Sequence, residues 1–181
     1  MDADLRTRGA LTRGWLSTPL GPEAWFGRLE TRLEEWAGFN LLMGEGRHLW
    51  YCSNRNRLGL HRVPPGWHSL SNASLDSPWP KSRHALAQLI QLAPAFSLPQ
   101  PDRHRALLEA HRRSRPFPDS LLPDTGLPLT TEQRLSPPCI IGRRYGTRAI
   151  SSLVIDSNGT WLSETQLSPA GGLLETTSLK I

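Results

Sequence analysis

The most chemistry-dense stretch of the chain is Ser71-Asn72-Ala73-Ser74-Leu75-Asp76-Ser77-Pro78-Trp79-Pro80-Lys81. It puts a carboxamide, a carboxylate, an indole and an ammonium within eleven residues. Two readings follow from these residue types. In one, Asn72 and Asp76 turn their side chains onto nearby backbone and hold a structural loop, with Trp79 plugging the core. In the other the loop is the wall of a site, and the Asn72 amide donates to a ligand or a developing oxyanion. A second candidate is Arg148, which follows Tyr145-Gly146-Thr147. Its guanidinium fork suits a carboxylate or a phosphate, and it reads equally well as a surface residue on a strand edge.

Other chemistries find little support. The six histidines form no H-x-H or H-E-x-x-H arrangement, and neither Cys52 nor Cys139 has a partner at ligand spacing, so no metal site is expected. Cys52 lies in an apolar strand-like run and Cys139 follows two prolines. A free cysteine in such a setting is ordinarily a small core residue. There is no G-x-S-x-G elbow, no P-loop and no G-x-G-x-x-G, so neither a serine hydrolase nor a dinucleotide fold is indicated, and no cofactor is expected.

Composition narrows the class further. The chain has 181 residues, 16 prolines and 15 glycines, and 38% of it is hydrophobic. That excludes a coiled coil or a long helical bundle and leaves a loop-rich mixed fold. Seven tryptophans argue for a packed core. Net charge is +5, from 21 basic and 16 acidic residues, with arginine carrying nearly all of the positive charge. The arginines are dispersed rather than run into a block, so nucleic acid is not expected as a partner. No apolar run reaches the length of a membrane span. Two cysteines make no disulfide framework, and the start Met1-Asp2-Ala3-Asp4 is polar, which together predict a cytoplasmic location.

The elements that must position these residues are read from periodicity and turn chemistry. A helix is expected over residues 22–36, with Pro22 in its first turn and Trp25, Leu29, Leu33 and Trp36 on one face. A hairpin follows, from Phe39–Met43 through Gly44-Glu45-Gly46 to Leu49–Ser53. Weaker strands are expected at 58–62 and 67–70. Helices are expected at 81–92 and 102–113, the second with Asp102 as N-cap and an inner face of Leu107, Leu108 and His111. Residues 116–138 are Pro-rich and read as irregular. Strands are expected at 139–141 and 148–155, and Asn158-Gly159 turns the latter into a return strand at 160–165. Residues 1–14 offer little to bury. The expected organisation is one domain over 1–169 with a flexible tail at 170–181, and the class is α+β with antiparallel sheets.

Several of these stretches occur in an order and spacing that is familiar as a set: Phe39-Asn40-Leu41-Leu42, Leu49-Trp50-Tyr51, Ser53-Asn54-Arg55, Pro65-Gly66, Leu70-Ser71-Asn72-Ala73, Pro78-Trp79-Pro80-Lys81 and Tyr145-Gly146-Thr147-Arg148. The chain resembles the NRDE family, also called the transport and Golgi organisation protein 2 family, from about Arg8 to Leu167. The resemblance implies a fold like that of the N-terminal-nucleophile hydrolases, with two antiparallel sheets between helix layers. In that scheme an N-terminal Cys is nucleophile and base, Asn72 resembles the oxyanion-binding Asn, and Arg148 resembles the Arg that supports the nucleophile. Family members begin Met-Cys and carry Asn-Arg-Asp-Glu; here Asp2 follows Met1 and that motif does not occur. The expectation is therefore an N-terminally truncated relative, incomplete in the first part of the fold, or a longer protein whose start lies upstream. The animal members are tied to Golgi organisation, secretion and lipid or haem handling. With no nucleophile of the family's type, the alternative to an enzyme is a non-catalytic binding or scaffold module for a small apolar or acyl-bearing ligand. Its wall would comprise Asn72, Asp76, Trp79 and Arg148, and its oligomeric state stays open.

Overall fold

The computed structural model describes residues 6–56 and 58–181. It is a mixed α/β chain that divides into two compact units, Met1–Ser77 and Pro78–Ile181. Asp2, the position where the resemblance expects Cys, lies outside the described residues.

The first unit is built from α1 (Gly9–Leu16), α2 (Pro22–Glu30), β1 (Asn40–Glu45), β2 (His48–Ser53) and β3 (His61–Val63). The three strands form one antiparallel sheet in the order β1-β2-β3, with Asn40 opposite Ser53 and Tyr51 opposite His61. The expected hairpin is present. Its two-residue turn is Gly46-Arg47, with Gly46 in the left-handed region at φ +58° that a side chain would resist. The core is a cluster of Leu11, Phe26, Leu29, Trp36, Phe39, Met43 and Cys52.

Three expectations for this unit need correction. Helix α2 stops at Glu30, and residues Leu33–Glu35 form a separate 3₁₀ turn. Arg32 leaves helical geometry at φ −136°, tied to Glu35 through Nε–Oε1 at 2.7 Å. The apolar period runs through the break, which is why periodicity alone reads one helix. Residues 9–16, expected to bury little, are helix α1, and Leu11 on it is only 2% exposed. Two glycines weaken the helical signal there. Residues 67–70 pair as a loop rather than a strand: Ser69 and Asp76 exchange hydrogen bonds, Asp76 N to Ser69 O at 2.8 Å and Ser69 N to Asp76 Oδ1 at 2.9 Å.

The second unit contains α3 (Pro80–Gln91), α4 (Gln100–Ala110), α5 (Leu129–Leu135), β4 (Ala149–Asp156), β5 (Gly159–Leu167) and β6 (Leu173–Lys180). Its strands form an antiparallel sheet in the order β4-β5-β6. The β4–β5 turn falls where Asn158-Gly159 predicts, but an Asx turn also holds it. Asp156 Oδ1 accepts from Asn158 N at 2.7 Å, while Gly159 takes φ +130°.

Helix α4 starts two residues earlier than expected, and no side chain caps it. It buries Arg103 and His104 as well as Leu108. Those polar groups are met by the sheet. Arg103 Nη1 pairs with Asp156 Oδ2 at 2.9 Å. His104 stands between Ser152 Oγ (2.6 Å) and Thr165 Oγ1 (2.9 Å). The inner face of β5 carries Ser163 and Thr165, both essentially inaccessible, so α4 answers it with hydrogen-bonding side chains rather than with an apolar stripe.

Residues 139–141 form no strand. They close a loop in which Ile140 N donates to Thr147 Oγ1 (2.9 Å) and Thr147 N donates to Ile140 O (2.7 Å). The Pro-rich region carries α5 directly after Pro128. Residues 170–181, expected as a flexible tail, carry β6. The glycines there make a turn, with Gly171 at φ +81° and Gly172 N donating to Ser168 Oγ at 3.0 Å.

Candidate functional site

Asn40 is the anchor of the candidate site. It is the polar member of an apolar strand run, and its carboxamide makes three hydrogen bonds. Nδ2 donates to Ser71 O at 3.2 Å and to Ala73 O at 2.8 Å. Oδ1 accepts from the Tyr51 hydroxyl at 2.6 Å. The same hydroxyl accepts from Leu75 N at 3.3 Å, and Asn56 Nδ2 donates to Ser74 Oγ at 2.8 Å. Loop 71–75 is thus stitched to the first sheet on both sides of Asn72.

A second carboxamide fixes the strand below. Asn54 Oδ1 accepts from Phe39 N at 2.7 Å, and its Nδ2 donates to Leu33 O and Trp36 O, each at 3.1 Å. Ser53 Oγ donates to Phe39 O at 2.6 Å and accepts from Arg55 N at 3.0 Å. These bonds set the backbone of Gly38 and Phe39 and the direction in which Arg55 leaves β2.

Between α1, the start of β1 and loop 70–72 lies an open cleft of about 430 Å³. Arg8, Arg55, Ser71 and Asn72 line it, over Leu11, Phe39 and Leu41. Two guanidiniums converge on Gly38. Arg8 Nη1 stands 3.5 Å from Gly38 O, and a β-carbon at Gly38 would meet Arg55 Nη2 at 2.8 Å. Among the described residues neither guanidinium has a carboxylate partner, and the exposed Asn72 side chain makes no hydrogen bond. The cleft therefore offers two unneutralised cations and a free amide above an apolar floor, an arrangement complementary to an anion with an apolar body.

Of the residues singled out in the sequence, Asn72 faces this cleft. Asp76 instead holds the loop. It sits in the left-handed region at φ +60°, which Asp tolerates better than most residues. Its Oδ2 takes His68 Nδ1 at 2.7 Å, and its Oδ1 takes Ser69 N. His68 Nε2 reaches Pro64 O at 2.9 Å. Both ring nitrogens thus face acceptors, which favours the imidazolium. The hydrogen bond to Asp76 raises the His68 pKa against a small burial cost. Burial works to raise the Asp76 pKa, but the bonds from His68 and the Ser69 amide outweigh it and leave the carboxyl below its usual value.

Trp79 and Arg148 lie in the second unit. Trp79 precedes α3, with Lys81 Nζ 5.3 Å from its ring centroid. Burial lowers the Lys81 pKa, partly offset by Glu132. Arg148 is engaged on backbone: Nη2 donates to Gly142 O at 2.7 Å and to Arg143 O at 3.2 Å. Gly146 is required beneath it, because a β-carbon there would stand 2.7 Å from Ile140 O. Arg148 is a brace for the 142–148 loop.

Sequence reasoning overlooked Arg8, Arg55 and Asn40. Asn40 carried a usable signal, a carboxamide in an otherwise apolar strand. The two arginines carried none, since packing of α1 on the hairpin is what brings them to one glycine. Neither cysteine is placed as a nucleophile. Cys52 is fully buried and its thiol is pushed up to about 12 by burial, and Cys139 is buried. Among the described residues no His, Cys, Asp or Glu cluster suits a metal. No helix among them is long and apolar enough to cross a membrane.

The comparisons with known proteins agree with the motif set. A family model described as Transport and Golgi organisation 2 matches residues 1–167. The mouse (Mus musculus) Transport and Golgi organization 2 homolog is 24% identical over 169 residues, covering 87% of this chain and 60% of the relative. The human (Homo sapiens) Transport and Golgi organization protein 2 homolog is 24% identical over 172 residues, covering 88% and 61%. The chain thus spans about three-fifths of the length of these curated relatives. It belongs to the Transport and Golgi organisation 2 family.

Proposed function

We propose that the first unit is a non-catalytic binding module for an apolar or acyl-bearing molecule that carries an anionic group. One observation carries the reading: Arg8 and Arg55, unpaired among the described residues, share the cleft with the free Asn72 amide above Phe39 and Leu41. Both guanidiniums are exposed and so accessible to an anion, which would gain charge-assisted hydrogen bonds from them. The anionic head would take the guanidiniums and the Asn72 Nδ2, and the apolar body would cover the floor. Asp76 and Asn40 act as positioning residues for the loop that carries Asn72. Trp79 and Arg148 are given structural roles in the second unit.

Binding rather than turnover is proposed because neither cysteine is placed to attack a bound molecule. The relatives' printed names concern transport and Golgi organisation, and a carrier of amphiphilic anions in the cytoplasm is a role compatible with them. We further take the two antiparallel sheets with their helices as part of an N-terminal-nucleophile-hydrolase-like arrangement. The observed strand order supports this as far as antiparallel pairing goes.

The test is a chemical-shift map of the amide-labelled protein titrated with octanoate and with octyl phosphate. The expected result is saturable shifts at Gly38, Phe39, Arg55 and residues 70–72, with neither ligand moving α4 or β5. Shifts spread over both units without saturation would overturn the reading.

A further inference from the structure

The cleft that carries Arg8, Arg55 and Asn72 meets a second depression at α1 among the described residues. This second one is a groove of about 350 Å³ lined by Ala10, Gly14, Trp25, Leu29 and Trp36, with arginines at its rim. Leu11 is the one described residue that borders both. It is 2% exposed and belongs to the core cluster. Gly9 and Thr12 lie on the cleft side of the helix, and Ala10 and Gly14 on the groove side. The two depressions differ in chemistry. The cleft holds unpaired cations and an amide. The groove has two indoles and alkyl surface in its wall along with Arg28, while Arg6 there is paired to Glu35 at 3.0 Å and Trp15 stands edge-on to Trp25 at 5.8 Å.

We infer that Leu11 is the residue that sets how long an apolar tail the cleft accepts. With the anionic head on Arg8, Arg55 and Asn72, the tail runs over Phe39 and Leu41 and stops against Leu11. The same residue also borders the tryptophan-lined groove. This inference rests on the reading of the cleft as an anion site. Each methylene buried before the wall improves affinity roughly fourfold, and each methylene beyond it stays in water and adds almost nothing. Shortening Leu11 joins the two depressions, so the gain resumes and the tail end reaches Trp25.

The experiment titrates the protein with hexanoate, octanoate, decanoate and dodecanoate below their micelle concentrations. The wild type is expected to reach a plateau in affinity along the series. Leu11→Ala is expected to keep gaining, by up to about 250-fold between octanoate and dodecanoate at about fourfold per methylene. 12-Bromododecanoate should quench tryptophan fluorescence in Leu11→Ala, but not in the wild type. It should not do so in Leu11→Ala with Gly14→Leu either, where the new side chain fills the groove; a β-carbon at Gly14 meets nothing closer than Trp25 at 3.9 Å. Trp25→Phe in the Leu11→Ala background assigns the quenching. Truncating a core leucine leaves a void, so Leu11→Val serves if the alanine variant does not fold, and it should extend the plateau by a smaller step. An unchanged length profile in the folded variants overturns the role of Leu11 and leaves the cleft reading standing. A wild type that binds none of the four acids overturns the cleft reading and this inference with it.

Discussion

The guanidinium of Arg55 rests on Gly38: a β-carbon at that glycine would stand 2.8 Å from Nη2 and 2.9 Å from the central guanidinium carbon. The obstructing atoms are the far end of a flexible side chain, so Gly38→Ala should displace Arg55 and leave the fold intact. Stability should change by no more than about 1 kcal/mol. Loss of one charge-assisted contact should weaken octanoate binding by about tenfold. Urea unfolding and a calorimetric titration on the same variant separate the two effects.

Asn40 holds the Asn72 loop to the sheet through Ser71 O and Ala73 O and receives the Tyr51 hydroxyl. Asn40→Ala removes all three bonds and leaves that hydroxyl without its acceptor. The expected loss of stability is about 2–3 kcal/mol, with faster amide exchange across 71–75. Tyr51→Phe keeps the two carbonyl contacts and should cost about 1 kcal/mol. Denaturant midpoints and hydrogen exchange measure both.

The two histidines His104 and His68 should make opposite contributions to the pH dependence of stability. His104 is buried between Ser152 and Thr165, and burial lowers its pKa from 6.5. The folded state then holds fewer protons than the unfolded one. Its contribution is complete above about pH 6.5 and is lost as pH falls through the folded value. His68 is the reverse. Its hydrogen bond to Asp76 raises its pKa above 6.5, so its contribution is complete below about pH 6.5 and is lost as pH rises through the folded value. His104→Gln should have a shallower acid-side slope than the wild type, and His68→Gln a shallower alkaline-side slope. Equal slopes in the wild type and both variants would contradict these assignments.

Cys52 is inaccessible, with its thiol at about 12. A disulfide-exchange reagent at neutral pH should leave it unmodified in the native protein, and it should react fully once urea unfolds the chain. The reaction rate of Cys52 should therefore follow the unfolding equilibrium, not the thiolate fraction of an exposed cysteine. Mass mapping of labelled peptides at increasing urea reads this directly.

The parts of the fold that sequence revealed are those fixed by local chemistry. The β1–β2 and β4–β5 hairpins each announce themselves by an apolar run, a glycine turn and a return run. Helix α3 starts at Pro80 and follows its own period. What sequence hid was fixed by packing at a distance. Helix α1 carries two glycines and becomes a helix because Leu11 finds the core. Strand β6 is wholly exposed and shows no alternation, so its register depends on β5 and the Ser168–Gly172 turn. Helix α5 begins immediately after Pro128, where proline richness suggests irregular chain.

The site divides in the same way. Asn72 stands out in the sequence as part of a dense polar loop, and in the structure it lines the cleft. Asp76 reads in sequence either as a site wall or as a side-chain turn, and its oxygens go to His68 and Ser69, the local option open to any Asp in a turn. Arg148 reads in sequence as a ligand holder or as a surface residue on a strand edge, and its guanidinium donates to carbonyls of its own loop. Arg8 and Arg55 gave no local signal, because their convergence on Gly38 is a product of tertiary structure.

The most direct test of the central claim is a calorimetric titration of octanoate into the wild type, Arg55→Ala and Asn72→Ala, with 1-octanol as a neutral control. The account predicts one saturable site in the wild type. Affinity should fall about tenfold or more in each variant, octanol should bind far more weakly than octanoate, and all three proteins should have the same circular dichroism. Equal affinity for octanoate and octanol, or octanoate binding unchanged in both variants, would contradict it.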